Sequence, residues 1–520
     1  MPHSNCHRRP TLSVSMIVKN EEAFLDDCLQ SVQPVADEIV IVDTGSTDRT
    51  KEIARGWGTK VFDFAWQGDF AAARNFSLQQ CTGDWVLYID ADERLTAKSA
   101  QALPRLLSRN EADAYTVIID SPQTMRQGRF KQQNAYPRLF RRFEGIAFEG
   151  RVHEQVLPSL QRQRLKVLPS SVTILHLGYD RGYDVVKKKA ERNLELLQRQ
   201  LAVNPGDAYT QFQVGNTLVV LQRYDEAESI LDRALRNPHL DRSNRASCYN
   251  LMAEVAVRRG DPHRAVQMCM RSLEAVPIQM MARWFLALLY FDLQEFDQAI
   301  RVLEEVAKLL DEPSTVRLNH IASDLDLRRY RLELQRAMTY AAAGKMAEAA
   351  DRYLAAIEEE PSSREAVEGL LRCVDRIGES VVGLRLLERA ALQCPKEKHI
   401  HIALARRYHE RKEFDAAFHH VDCAMALEPE DGDTYALAIK WKMELGATEE
   451  AWRYIEHAEA CGVQAFEFHK ASLQLSLSRG DLRSAFKHLE LMAQTSQADL
   501  TPLRNRLAAL AAKISSQPSA

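Results

Sequence analysis

The sequence predicts an α/β domain with a mostly parallel sheet, followed by an all-α array of helical hairpins. Three observations carry this. Short β-rich runs alternate with single helical stretches from residue 12 to about 176, and after about residue 185 helix follows helix. Seven prolines, Pro205, Pro238, Pro277, Pro313, Pro361, Pro395 and Pro429, then recur at gaps of 33, 39, 36, 48, 34 and 34 residues. A period near 34 is the length of one hairpin in a stacked helical array.

In chain order, LSVSMIV forms the first strand and EAFLDDCLQSV its helix, DEIVIVD the second strand and DRTKEIARGWG its helix, KVFDF the third strand and FAAARNFSLQQC its helix, and DWVLYID the fourth strand. Such alternation builds right-handed βαβ units, whose ligands sit beyond the carboxyl ends of the parallel strands. A later β-rich run, SVTILH, ends at His176. In the helical half, alanines recur where paired helices must approach, in YDEA at Ala227, FDQA at Ala299, FDAA at Ala417 and DLRSA at Ala485. These segments resemble tetratricopeptide repeats, most clearly NPGDAYTQFQVGNTLVVLQRYDEAESILDRALRNP. Each hairpin leaves an apolar face that only its neighbours can cover, so the array stacks into a solenoid with a groove, a surface for recognition or for joining two copies of the chain.

The expected organisation is a flexible N-terminus over residues 1–11, the α/β domain over 12–184, helical repeats over 185–312, an irregular break over 313–328 (DEPSTVRLNHIASDLD lies across it) and further tetratricopeptide-like repeats over 329–515. At 520 residues the chain exceeds what one core can fill. Its 46% apolar and 27% charged residues are those of a globular protein, and a net charge of −4 gives no reason to expect nucleic-acid binding or adhesion to acidic membranes. No run approaches the ~18–20 apolar residues of a membrane span, and the first residues lack a signal-peptide core, so a cytoplasmic location is expected. Nine cysteines are scattered singly without a CxxC pair. This spacing predicts buried free thiols, not a zinc site or a disulfide framework.

The chemistry is expected at strand ends. WVLYID delivers Asp90, Ala91 and Asp92, two carboxylates separated by one small residue. Such a pair can share a hard divalent cation, and equally Asp92 or Glu93 can cap a helix in LTAKSAQALPRLL. The first strand closes at Lys19, Asn20 and Glu21, and the second at Asp43 before a Gly-Ser-Thr turn. An acidic residue ending a second strand can accept hydrogen bonds from a nucleoside. No GxGxxG follows strand one and no GxxxxGK[ST] loop is present, against a dinucleotide fold or a P-loop enzyme.

SMIVKNEEAFLDDCLQSV, EIVIVDTGSTDRTKEIA, FAAARNFSLQQCTGDWVLYIDADE and PRLFRRFEGIAFEGRVHEQV, in that order, resemble family 2 glycosyltransferases of the GT-A fold, in particular the branch with C-terminal tetratricopeptide repeats that includes sublancin-type peptide glycosyltransferases. The resemblance implies inverting transfer of a sugar from a nucleotide-sugar donor, UDP-linked, to an acceptor that the repeats would dock, a peptide or protein. By matching position, Asp43 would contact the uracil or ribose, with Asn20 and Glu21 near the nucleoside and Arg74 and Asp69 near the base or diphosphate. Asp92 would ligate Mn2+ or Mg2+ and Asp90 the ribose or a metal-bound water. Glu154 is the expected base, with His153 as the alternative base or an acceptor-site residue. His176 is either a further metal ligand or a core histidine. The cations Arg138, Arg141, Arg142 and Lys187 to Lys189 are either diphosphate partners or a solvated basic surface, and Trp66 either lines the sugar pocket or belongs to the core. The alternative function is a catalytically inactive repeat adaptor with a degenerate nucleotide-sugar domain.

Overall fold

The computed structural model describes residues 8–125, 128–177, 183–318, 321, 323–378, 381–495 and 500–515. They fall into two compact units, Met1–Arg328 and Arg329–Ala520.

In the first unit the elements run β1 (Leu12–Val18), α1 (Leu25–Val32), β2 (Glu38–Asp43), α2 (Thr50–Gly56), β3 (Lys60–Asp63), α3 (Phe70–Gln80), β4 (Trp85–Tyr88), β5 (Glu93–Leu95), α4 (Ala97–Leu107), β6 (Ala114–Met125), β7 (Gly128–Arg141), α5 (Leu157–Arg162) and β8 (Val167–His176). The helices α6 (Tyr183–Val203), α7 (Ala208–Val220), α8 (Tyr224–Arg236), α9 (Arg242–Arg258), α10 (Pro262–Ala275), α11 (Met280–Asp292), α12 (Phe296–Leu310) and α13 (Ser314–Leu318) follow, and then β9 (Ser323–Asp326).

The sheet order is β3-β2-β1-β4-β7-β6-β8-β5. The first four strands are mutually parallel, as their alternation with helices requires; beyond β4 the pairing is mixed, with β7 antiparallel to β4 and β6, β8 parallel to β6, and β5 antiparallel to β8. β1 is buried along almost its whole length because strands flank it on both sides and helices cover both faces. On one face α1 presents Leu25, Cys28, Leu29 and Val32, a single helical stripe, and α4 adds Leu103 and Leu107. On the other face Ala71 of α3 and Leu160 of α5 pack with Val40, Val86, Phe140 and Phe148. Gly83 precedes β4 where a Cβ would come within 2.7 Å of the Ser13 Oγ, so only glycine admits this close approach.

β9 is an addition that the helical grammar of this half does not announce. It lies within 313–328, expected as an irregular break, and pairs antiparallel with Lys131–Asn134 of β7. The polar run SDLD has no amphipathic signature; a waiting edge recruits it. Asp324, 1% exposed, accepts the Met280 and Met281 N–H groups and pairs with Arg317 at 3.2 Å.

All seven spacing prolines lie between helices. Ala227, Ala299, Ala417 and Ala485 are fully buried, as hairpin packing demands. In the second unit a Cβ on Gly369 would lie 2.2 Å from the Tyr353 ring. No helix among the described residues is long and apolar enough to cross a membrane. Most of the N-terminal segment expected to be flexible lies outside the described residues; its described end is held by Arg9–Asp37 at 2.6 Å and by Thr11 N–H donating to Asp84 at 2.8 Å.

Candidate functional site

Parallel register sets the site. Val18 stands opposite Asp43, and Ile89 N–H donates to the Ser15 carbonyl, so β1, β2 and β4 release their next residues at one edge of the sheet. Asp43, 1% exposed, uses Oδ1 to accept the Gly45 and Ser46 N–H groups at 3.0 and 2.9 Å, while Oδ2 is buried without a hydrogen-bond partner. The turn needs Gly45, whose φ is 106°. Asn20, also left-handed at φ 55°, accepts the Thr47 N–H at 2.8 Å and donates its own N–H to Ser46 Oγ at 2.9 Å. Glu21 follows, its N–H donating to Thr50 Oγ1 at 2.8 Å.

The acidic cluster resolves into distinct roles. Thr96 caps α4 by accepting the Ser99 N–H, so neither Asp92 nor Glu93 is the cap. Glu93, 1% exposed, accepts the Asp90 N–H and an Arg138 N–H, each at 2.8 Å, and locks the turn. Arg74 of α3, 3% exposed, ion-pairs with Asp90 and, through Nε at 3.0 Å, with Glu154; Arg138 of β7 stands 3.6 Å from Asp90 on the other side. Burial pushes the Asp90 carboxyl up, but the Arg74 and Arg138 charges outweigh it and hold it well below the usual carboxylate range. Burial pushes Glu93 up to about 7, with Arg138 opposing and the Asp90 charge adding to the rise. Both guanidiniums also lie over the Tyr88 ring, at 5.0 and 4.7 Å.

Antiparallel pairing of β5 with β8 sets Glu93 opposite His176, and Leu177 N–H donates to the Asp92 carbonyl at 2.9 Å. The His176 Nε2 is thereby 3.5 Å from Asp92 Oδ2, and its Nδ1 is 3.3 Å from Ser121 Oγ. Burial, with the Asp90 charge, raises the Asp92 carboxyl, and the hydrogen bond from His176 together with the His176 and Lys189 charges outweighs it, so the group lies below its ordinary value. A carboxylate oxygen facing an imidazole nitrogen, with the second ring nitrogen steadied by a hydroxyl, is a donor pair that can hold a divalent cation, the imidazole fitting Mn2+ better than Mg2+.

His153 and Glu154 lie in the loop that the Glu149–Gln155 bridge closes, with His153 exposed at φ 56° and Glu154 half-buried. Its conformation is fixed from outside the sheet. Gln155 Nε2 donates to the Tyr209 hydroxyl at 2.6 Å, Arg151 N–H donates to the Gln200 side-chain oxygen at 2.9 Å, and Val152 packs with Leu194, Leu197, Val214 and Leu218. The first two helices after the sheet, α6 and α7, are therefore part of the site's frame.

Of the sequence-nominated residues, Arg74, Asp90 and Glu154 are joined directly, Asp92 meets His176, and Asn20 and Asp43 interlock through residues 44–47. Asp69 caps α3, accepting the Ala72 N–H at 3.0 Å. Trp66 packs on Phe70, with ring centroids 4.7 Å apart. Arg141 lies over Trp85 at the opposite end of β4 and Arg142 donates to the Gly83 carbonyl, so neither belongs to this edge. Ser121, Gln155 and Tyr209 were not nominated. Gln155 adjoins the His-Glu pair, a usable hint; Ser121 and Tyr209 carry no local signal.

Residues 13–164 match the model of glycosyl transferase family 2, and residues 220–306 match that of the anaphase-promoting complex, cyclosome, subunit 3. A TPR repeat-containing protein of Synechococcus elongatus is 35% identical over 273 residues, covering 51% of this chain and 66% of that protein. The SPbeta prophage-derived glycosyltransferase SunS of Bacillus subtilis is 25% identical over 230 residues (44% and 54%). The lipopolysaccharide core biosynthesis glycosyltransferase LpsC of Rhizobium meliloti is 35% identical over 157 residues (28% and 57%). The chain spans between about half and two thirds of the length of these relatives. The N-terminal domain of the chain belongs to glycosyl transferase family 2, and the helices behind it are repeats of the tetratricopeptide type.

Proposed function

We propose that the protein is an inverting glycosyltransferase that moves a sugar from a UDP-linked donor to a peptide or protein acceptor docked by the repeats, with a divalent cation, Mn2+ or Mg2+, at Asp92 and His176. The observation that carries this reading is the convergence, at one edge of the sheet, of an orphaned Asp43 oxygen, the Asp92–His176 pair and the Asp90–Arg74–Glu154 chain.

In this reading Asp43 Oδ2 accepts a proton donor of the uracil or ribose, which would satisfy an otherwise costly buried oxygen. Asn20 and Glu21 shape the nucleoside side. When bound, the cation supplies positive charge against the diphosphate that leaves as the anomeric bond breaks. Arg74, neutralised by two carboxylates, holds Asp90 and Glu154 in a fixed relation. Glu154 takes the acceptor proton on the face opposite the leaving nucleotide, and His153 beside it meets the acceptor.

The test is UDP release from a panel of UDP-sugars, with and without Mn2+, for the wild type and Asp92→Asn. Metal-dependent release that Asp92→Asn abolishes supports the reading. A wild type that neither binds UDP nor turns over supports the inactive adaptor instead.

A further inference from the structure

The cysteine spacing gave no reason to expect a zinc site. In the second unit, however, the helices Lys398–Glu410 and Phe414–Leu427 form a hairpin that adds histidines to one thiol. His420 and Cys423, three apart on the second helix, share a face, and His401 meets them from the first. One donor atom from each lies within 4.8 Å of the others, and no other His, Cys, Asp or Glu group of three is as close among the described residues. The Nδ1 atoms of His401 and His420 are 3.0 Å apart.

Both rings are oriented from behind. The Nε2 of His401 is 3.1 Å from the Pro395 carbonyl oxygen, which only accepts, so the ring proton sits on Nε2 and Nδ1 offers a lone pair. This is the arrangement by which a backbone carbonyl fixes the tautomer of a metal-binding histidine. His420 stacks on Tyr408, 6° from parallel at 5.6 Å, and the Tyr408 hydroxyl donates to Glu388 at 2.7 Å. With zinc–nitrogen bonds of about 2.0–2.1 Å, two nitrogens on a tetrahedron stand about 3.3 Å apart, within a few tenths of the spacing already present.

The array provides its own comparison. His469 and His488 recur 68 residues later, two repeat lengths on, with Nδ1 atoms 3.3 Å apart, but Leu491 stands where Cys423 would be. The imidazole pair is thus a packing device of this repeat position, and the thiol makes one of the two pairs a three-donor set.

We infer that His401, His420 and Cys423 bind one zinc ion, separate from the Asp92–His176 pair, with water in the fourth position. Binding releases the Cys423 thiol proton to solvent and forms the zinc–sulfur bond without any redox change. The Cys423 thiolate, a soft donor that the Asp92–His176 pair lacks, favours zinc over Mn2+ and Mg2+ at this hairpin. The ion would cross-link the two helices of the hairpin and stabilise this part of the array.

The test titrates the tag-free, chelator-stripped full chain with Co2+ and then Zn2+. Expected are a thiolate-to-cobalt charge-transfer band saturating at one equivalent, its displacement by zinc, its loss in Cys423→Ser, affinity about tenfold or more weaker in His420→Gln, and its retention in His488→Gln. Independently of how any variant folds, zinc should protect Cys423 of the wild type from alkylation, read by peptide mapping. A wild type with no thiolate band and no protection of Cys423 overturns the inference, as does a band that survives Cys423→Ser.

Discussion

Arg74 and Glu154 touch, yet their substitution should have opposite consequences. Glu154→Gln keeps the shape and leaves Arg74 paired with Asp90, so the expected result is an unchanged circular-dichroism spectrum with kcat lowered by about 10²–10⁴, the range of a lost general base. An unchanged rate would move the base elsewhere, with His153 next in line. Arg74→Ala instead removes the guanidinium that Glu154 pairs with and leaves Asp90 with Arg138 alone. Stripping one partner from a buried ion pair costs about 3 kcal/mol or more, so urea unfolding of the first unit should shift to lower denaturant. The Asp90 carboxyl lies below its ordinary value when folded, so its contribution is full at neutral pH and is lost only as pH falls below the usual carboxylate range. Asp43 and Asp90 were legible in the sequence because each follows a run of four or more apolar residues, and Asp92 because it stands one small residue beyond Asp90; strand ends are local features. Ser121 and the lock formed by Glu93 with Arg138 were not, since they depend on which distant strand pairs with which.

At the scale of elements, the sheet is completed from far along the chain. β9 occupies the β7 edge beyond the part paired with β4, and the buried Asp324 ties it to the start of α11. A fragment ending at residue 312 leaves that edge unpaired, and unpaired edges recruit other chains. Size-exclusion chromatography should show this fragment aggregated and one ending at residue 328 monodisperse; equal behaviour would mean β9 contributes no protection. Seven prolines and four alanines announced the hairpins because helix termination and close helix packing are read from nearest neighbours. β9 could not be announced: SDLD is polar, short and without alternation, and its strand conformation comes from its partner.

At the scale of the whole molecule, acid is expected to act on imidazoles that desolvation holds neutral, His153 in the first unit and His488 in the second. His488 is 1% exposed, and burial, with His469 beside it, pushes its ring down to about 4; Glu459 opposes this from 3.7 Å, with Lys487 and Asp481 nearby. The unfolded ring titrates at about 6.5, so between pH 6.5 and 4 the unfolded chain binds more protons. Stability of the second unit is therefore full above that window and falls as pH drops through it, by on the order of 2–3 kcal/mol. The urea midpoint of that unit should be lower at about pH 5 than at about pH 7.5, and His488→Gln should reduce the difference without abolishing it, because burial also holds His420 down at about 4 and lowers His469. An identical pH slope in the variant would assign the effect to other groups.

By itself the sequence determined the division into a sheet domain and a helical array, the parallel direction of the first four strands, and the acidic residues at strand ends. These follow from periodicity, chain-breaking residues and strand termini, all local. Tertiary structure decided what meets what. The β5–β8 register brought His176 to Asp92 across more than 80 residues, α7 fixed the loop that carries Glu154, β9 closed the sheet, and one helical hairpin set a thiol beside two imidazoles. Each is a contact between surfaces distant in sequence, selected by the burial and pairing that the finished fold offers, and no short window of sequence encodes that.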